Sequence, residues 1–294
     1  MTKWEKYKII NEKLKSDFFC IPPYNSVTGK FVNEAYEMIE DIDKLHGLVS
    51  ALINNPWQRA FQIEYCYKEC DIFLPFIQII DYATYDAMVG NWICSYLSLV
   101  PAVEAIMDKW YERMPNISYK GMRQAAEIIQ HIGIFDDDRS TITEEHIKYL
   151  EYIFGNLFFE RFDKYKKQKH SDVFNRNLTV HKLEGVSDIS EGLRNMSRLY
   201  LILDIIAELY LMQEPKRYGK YWNRYFNSNY DEVDFQLRWN LYKKLIKDSL
   251  YSSDLNILQN CYYGSTSSQD KKENALEAIK LHMDIFDKSL KKKR

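Results

Sequence analysis

Ser187-Asp188-Ile189-Ser190-Glu191-Gly192-Leu193-Arg194-Asn195-Met196-Ser197-Arg198-Leu199-Tyr200-Leu201-Ile202-Leu203-Asp204-Ile205-Ile206-Ala207-Glu208-Leu209-Tyr210-Leu211-Met212 is the stretch on which the fold turns. Leu193, Met196, Tyr200, Leu203, Ala207 and Tyr210 recur at three-and-four spacing, the period of one face of an α-helix. Leu199, Ile202, Ile206 and Leu209 add a second apolar strip beside the first. An apolar stripe this wide must be covered on more than one side. The helix therefore belongs at the centre of a bundle or at a subunit interface. Ser187, Asp188 and Glu191 supply N-terminal capping chemistry, and Pro215 closes the run.

The same periodicity extends over most of the 294 residues, and alternating strand patterns are almost absent. Ala35, Met38, Ile42, Leu45, Val49 and Leu52 predict a helix over roughly 31–53, stopped by Asn54-Asn55-Pro56 because the residue before proline is pushed out of the α region. Further helical tracts are expected at 57–70, at 87–113 with a bend at Pro101, and from Ser118 to about Ile132. Thr141-Ile142-Thr143-Glu144 reads as a capping box opening a long helix to about Gln168. Helices near 231–251 and 270–290 complete the chain, the last framed by Leu276, Ile279, Met283, Phe286 and Leu290. The expected fold is all-α, a multi-helix bundle. A weak boundary falls near residue 116, giving an N-terminal helical region (1–116) and a second helical region (117–294).

Composition narrows the classes. An apolar fraction of 46% with 10 Gly and 7 Pro is that of a globular chain. The most apolar runs are either too short for a bilayer or interrupted by Pro101, Glu104, Asp204 and Glu208, so no membrane segment is expected. Met1-Thr2-Lys3-Trp4-Glu5 begins a charged amphipathic segment and not a signal peptide, which reads as a cytoplasmic chain. Five cysteines (Cys20, Cys66, Cys70, Cys94, Cys261) form no CxxC pair and are expected as reduced thiols. Asp136-Asp137-Asp138 lacks the alternate-ligand pattern of a calcium loop and reads as a solvated acidic turn. No metal site and no cofactor motif is expected.

The net charge is −2, unevenly spread: residues 1–116 carry 11 Lys and Arg against 16 Asp and Glu, and the remainder 29 against 26. The basic surplus accompanies Phe174-Asn175-Arg176-Asn177-Leu178-Thr179-Val180-His181. Arg supplies a permanent planar cation suited to phosphate, and His the one ordinary side chain that exchanges protons near neutrality. On a helix, Asn177 and His181 at i, i+4 share a face, with Arg176 about 100° round from Asn177. Upstream, Arg161 to Lys169 holds five cations against one anion, either complementing a helix dipole or lying along a phosphate backbone.

An Arg, a polar residue, a short spacer and a His, preceded by a basic helix end and followed by a loop and an apolar helix, resemble the HEPN domains. Asn175, Arg176, Asn177 and His181 fit that pattern; the Gly that commonly follows the His is here Lys182, with a Gly only at Gly185. The resemblance covers about 141–213. It implies an HEPN-like bundle in the second region, with the N-terminal region packed on it, and a metal-independent endoribonuclease working as a homodimer. Arg176, Asn177 and His181 would be its catalytic residues, Lys182, Lys166 and Lys169 its RNA contacts, and a defence or toxin–antitoxin system with an antitoxin protein its setting. The competing reading is a non-catalytic helical module that binds RNA, a nucleotide or a partner protein through the same basic surface.

Overall fold

The computed structural model describes residues 1–24, 27, 29–113, 139–154, 158, 174, 189–213 and 233–250. Nine α-helices and no strand occur among them. In chain order they are α1 (Lys3–Lys15), α2 (Gly29–Glu37), α3 (Ile42–Ile53), α4 (Pro56–Phe61), α5 (Ile77–Met88), α6 (Trp92–Glu112), α7 (Arg139–Ile153), α8 (Ile189–Met212) and α9 (Val233–Leu250). The all-α bundle expected from periodicity is the architecture observed.

α8 is the axis. From Asn195 to Met212 every residue is buried except the half-buried Glu208, and its principal neighbours are α6, then α3 and α7. The wide stripe thus takes the central position. From Asn195 to Met212 its cover comes from within the chain. α5 and α6 form a hairpin beside it, joined through Gly90 at φ 87°, a backbone region open to glycine at little cost. α9 lies on α4 and α5, while α1 packs on α2, α3 and α7. One hydrophobic cluster takes residues from every one of these helices, on both sides of residue 116.

Several helix limits differ from the sequence reading for local reasons. The helix expected over 31–53 is two, α2 and α3, because residues 38–41 close as successive turns (Met38 N–H to Ala35 O, Ile39 N–H to Tyr36 O). Asp41 then caps α3, its side chain accepting from Lys44 N–H. Asn55 caps α4 by accepting from Trp57 N–H at 2.9 Å, with Pro56 at the first helical position, where its missing N–H costs nothing. The tract 57–70 continues past α4 as a π-helical turn (Gln62–Cys66) and a 3₁₀ turn (Tyr67–Glu69). The helix expected from 87 starts at Trp92, because Gly90 ends α5, and it runs unbroken through the exposed Pro101. α7 begins at Arg139, ahead of the Thr141–Glu144 box. Thr141 therefore stands inside the helix instead of at its cap, and Thr143 is buried with its hydroxyl 3.8 Å from Met212 Sδ. The expected helices at 118–132 and 270–290 lie outside the described residues, as does Asp136–Asp138.

Among the described residues no helix is long and apolar enough to cross a membrane. Cys20, Cys66 and Cys70 are buried free thiols and Cys94 an exposed one. Cys70 donates to the carbonyls of Cys66 and Ala207, so these thiols serve as small core residues.

Candidate functional site

Arg176, Asn177, His181, Lys182, Lys166 and Lys169 all lie outside the described residues. What the structure does describe is Phe174, two residues before Arg176 in the chain. Phe174 is fully buried. Its ring packs on Phe158 at 5.3 Å between centroids, and Phe158 packs on Phe154 at the end of α7. The Arg198 guanidinium of α8 sits 5.7 Å from the Phe174 ring centre.

Arg198 is itself fully buried and gathers three parts of the chain. Nε and Nη2 donate to the Asp17 carbonyl at 3.0 and 2.7 Å, and Nη1 donates to Asn195 Oδ1. Its flat cation also stacks near Phe18 and Phe19, at 5.2 and 5.3 Å. Three hydrogen bonds and aromatic faces offset the desolvation of a guanidinium, which a lysine's point charge would not reproduce. The corner it holds is strained. Phe18 adopts φ 62° without being glycine, at a cost of about 1–2 kcal/mol, and is kept there by Arg198 and by stacking on Tyr152 at 6.2 Å.

A second polar cluster lies deeper. Asp204 of α8 is enclosed in the otherwise apolar run, with its side chain 0% exposed. Arg59 of α4 meets it in a two-pronged ion pair, Nη2 to Oδ2 at 2.5 Å and Nη1 to Oδ1 at 3.3 Å. The Tyr24 hydroxyl donates to Oδ2 and the Tyr67 hydroxyl to Oδ1. The guanidinium also lies 4.9 Å from the Tyr200 ring centre, and the Tyr200 hydroxyl donates to Thr84 Oγ1 at 3.0 Å. Burial would pull the Arg59 cation down, but Asp204, Tyr24 and Tyr67 outweigh it and hold it above its ordinary value. Burial pushes the Tyr24 and Tyr67 hydroxyls well up, and that of Tyr200 to about 12. The cluster is buried throughout. It pins α8 to α4 and to the chain between α1 and α2. Sequence reasoning used Asp204 only to exclude a membrane span. The signal was present, since a lone carboxylate in an apolar run needs a buried partner, but nothing in one sequence names Arg59 as that partner.

His146 of α7 is 0% exposed. Its Nε2 is 2.9 Å from the Ile21 carbonyl and 3.2 Å from the Tyr7 hydroxyl, so Nε2 carries the proton and donates to Ile21. Nδ1 is buried without a hydrogen bond, 3.8 Å from Glu208 Oε2. Burial, against a smaller opposing effect of the Ile21 carbonyl, lowers its pKa to about 4. This ring is a neutral structural group joining α7 to α1 and to Ile21. Because the folded pKa lies below the unfolded value near 6.5, the stabilisation from keeping it neutral is fully present above pH 6.5. It is lost as pH falls from 6.5 through 4. A shift of this size corresponds to roughly 3 kcal/mol. Urea denaturation at pH 7 and pH 4.5 is expected to show a steep acid loss in wild type, reduced in His146→Gln; equal slopes in the two proteins would contradict this account. His46 is buried at the same end, with Nε2 3.2 Å from Asp17 Oδ2.

Among the described residues no group of three or more His, Cys, Asp or Glu side chains could hold a metal ion. In comparisons with known proteins the chain matches no family model, no curated protein and no solved structure.

Proposed function

We propose that this chain is a metal-independent endoribonuclease of the HEPN type. The observation that carries the reading is the string Asn175-Arg176-Asn177-x-x-x-His181, set between a basic run and the apolar helix α8. Its support is the all-α architecture and the burial of Phe174, the residue before the string, against Arg198.

Arg176 binds the scissile phosphate and offsets charge building on its non-bridging oxygens. His181 takes the proton from the RNA 2′-OH, and the 2′-oxygen attacks phosphorus. The 5′-oxygen leaves with a proton, generating a 2′,3′-cyclic phosphate and a 5′-hydroxyl. The nucleophile is already on the substrate, so no metal-bound water is needed to supply it. Asn177 orients the imidazole or the phosphate, while Lys166, Lys169 and Lys182 hold the flanking backbone. One His provides one proton-transfer group, and the second comes from another copy of the chain in a homodimer. Asn195–Met212 of α8 are taken up by the bundle, so the two-fold contact draws on surfaces outside that stretch. A cytoplasmic defence or toxin–antitoxin setting, with an antitoxin protein as the restraining partner, follows from the same reading.

The test is incubation of wild type, Arg176→Ala and His181→Ala with structured RNA in EDTA. Cleavage by wild type that both variants lose supports the assignment; cleavage retained by both removes it. Binding without cleavage by wild type would instead favour a non-catalytic RNA-binding module.

A further inference from the structure

α9 is apolar on two opposite sides. Its inner side carries Phe235, Trp239 and Tyr242, all buried. Phe235 packs edge-on to Trp57 of α4 at 5.9 Å and lies 5.2 Å from Tyr65. Arg238 locks that side down, with its guanidinium 2.7–2.8 Å from Glu64 Oε1 and paired to Asp81 of α5. The outer side carries Val233, Leu237 and Leu241, 69%, 64% and 45% exposed. At 100° per residue these three fall in one row about 80° wide, centred roughly opposite the inner side. A helix seated on a core ordinarily has a single stripe, with polar residues opposite. A row of large aliphatic side chains on the outer face marks a surface that something covers.

The chain supplies a matching stripe directly downstream. Leu276, Ile279, Met283, Phe286 and Leu290 step by three and four, the spacing of a seam between two helices. As a helix that seam would be about 21 Å long, enough to cover the roughly 12 Å from Val233 to Leu241 on α9. Twenty-five residues separate Leu250 from Leu276, ample to turn back over α9, and the entropy of closing such a loop grows only slowly with its length. A tethered segment also acts at an effective concentration near millimolar, which a second copy of the chain at micromolar concentration does not match.

We propose that residues 270–290 dock as an amphipathic helix along the outer face of α9, closing Val233, Leu237 and Leu241 from solvent. The C-terminal segment is then part of the bundle, held by the same helix that reads Glu64 and Asp81 on its other side. This inference is independent of the ribonuclease reading.

Hydrogen exchange on the full-length protein tests it, comparing wild type with Leu237→Asp and with Met283→Asp. Both substitutions place a charge in the proposed seam, and Leu237 is far enough exposed that the bundle itself folds in its variant. In wild type, amides of 270–290 are expected to be protected, independently of protein concentration. Leu237→Asp is expected to speed their exchange at least about tenfold, the effect of losing one buried aliphatic anchor. Met283→Asp should reciprocally speed exchange in α9. Exchange over 270–290 that is unprotected in wild type, or unchanged by Leu237→Asp, overturns the proposal. Protection that rises with protein concentration also overturns it, and assigns the face to a second copy.

Discussion

Asp204→Ala is expected to lower stability by about 3–5 kcal/mol, the cost of removing one partner from a buried ion pair. The substitution leaves Arg59 charged and 1% exposed. It also removes the acceptor for the Tyr24 and Tyr67 hydroxyls, so the loss is the desolvation of three donors and not merely one bond. In a chain of this length each kcal/mol moves the melting temperature by roughly 2–4 °C, and circular dichroism should register a fall near 10 °C or more. The double variant Arg59→Met with Asp204→Leu should be milder than Asp204→Ala alone, because apolar groups of similar volume leave no charge stranded. A melting temperature within about 2 °C of wild type for Asp204→Ala would show that the cluster is not the clamp described, given the same scaling.

His181→Ala is expected to reduce RNA cleavage by about 10²–10⁴-fold, the range for removing a general acid or base. Arg176→Ala should reduce it by about 10²–10³-fold, comparable to deleting one donor that stabilises transition-state charge. The two losses should not multiply in the double variant, because both groups serve one transition state. Measured in EDTA, products of the residual and wild-type reactions should end in 2′,3′-cyclic phosphate. A wild-type product carrying a 3′-hydroxyl would exclude attack by the 2′-OH, and with it the role given to His181.

How far the sequence reached is clearest at individual residues. The stop at Asn54-Asn55-Pro56 and the start of α9 near 231 were readable because proline geometry and apolar period are local properties. The split between α2 and α3 was not, since Ala35, Met38 and Ile42 keep a helical period straight across it. The period records which residues face the core, and a tight turn can preserve that facing while interrupting the helix. Thr141-x-x-Glu144 misplaced the start of α7 for a related reason. The capping pattern is a matter of four residues and does not exclude helix upstream of it, and α7 begins two residues earlier, at Arg139. The proposed site was legible only as a string of residue types: its side chains lie outside the described residues, and Phe174, its buried neighbour, carried no mark in the sequence beyond being apolar.

By itself the sequence determined the class of fold, through a 3.6-residue period carried by nearly every segment, and it marked α8 as a helix needing cover on several sides. Only the tertiary structure decided that the cover comes from α6, α3 and α7 of the same chain, that Asp204 closes on Arg59, and that Arg198 gathers Asp17, Phe18 and Phe174. The division has a physical cause. Helical period is written within one turn of the chain, whereas a buried charge is satisfied by whichever distant group the packing brings within hydrogen-bonding reach.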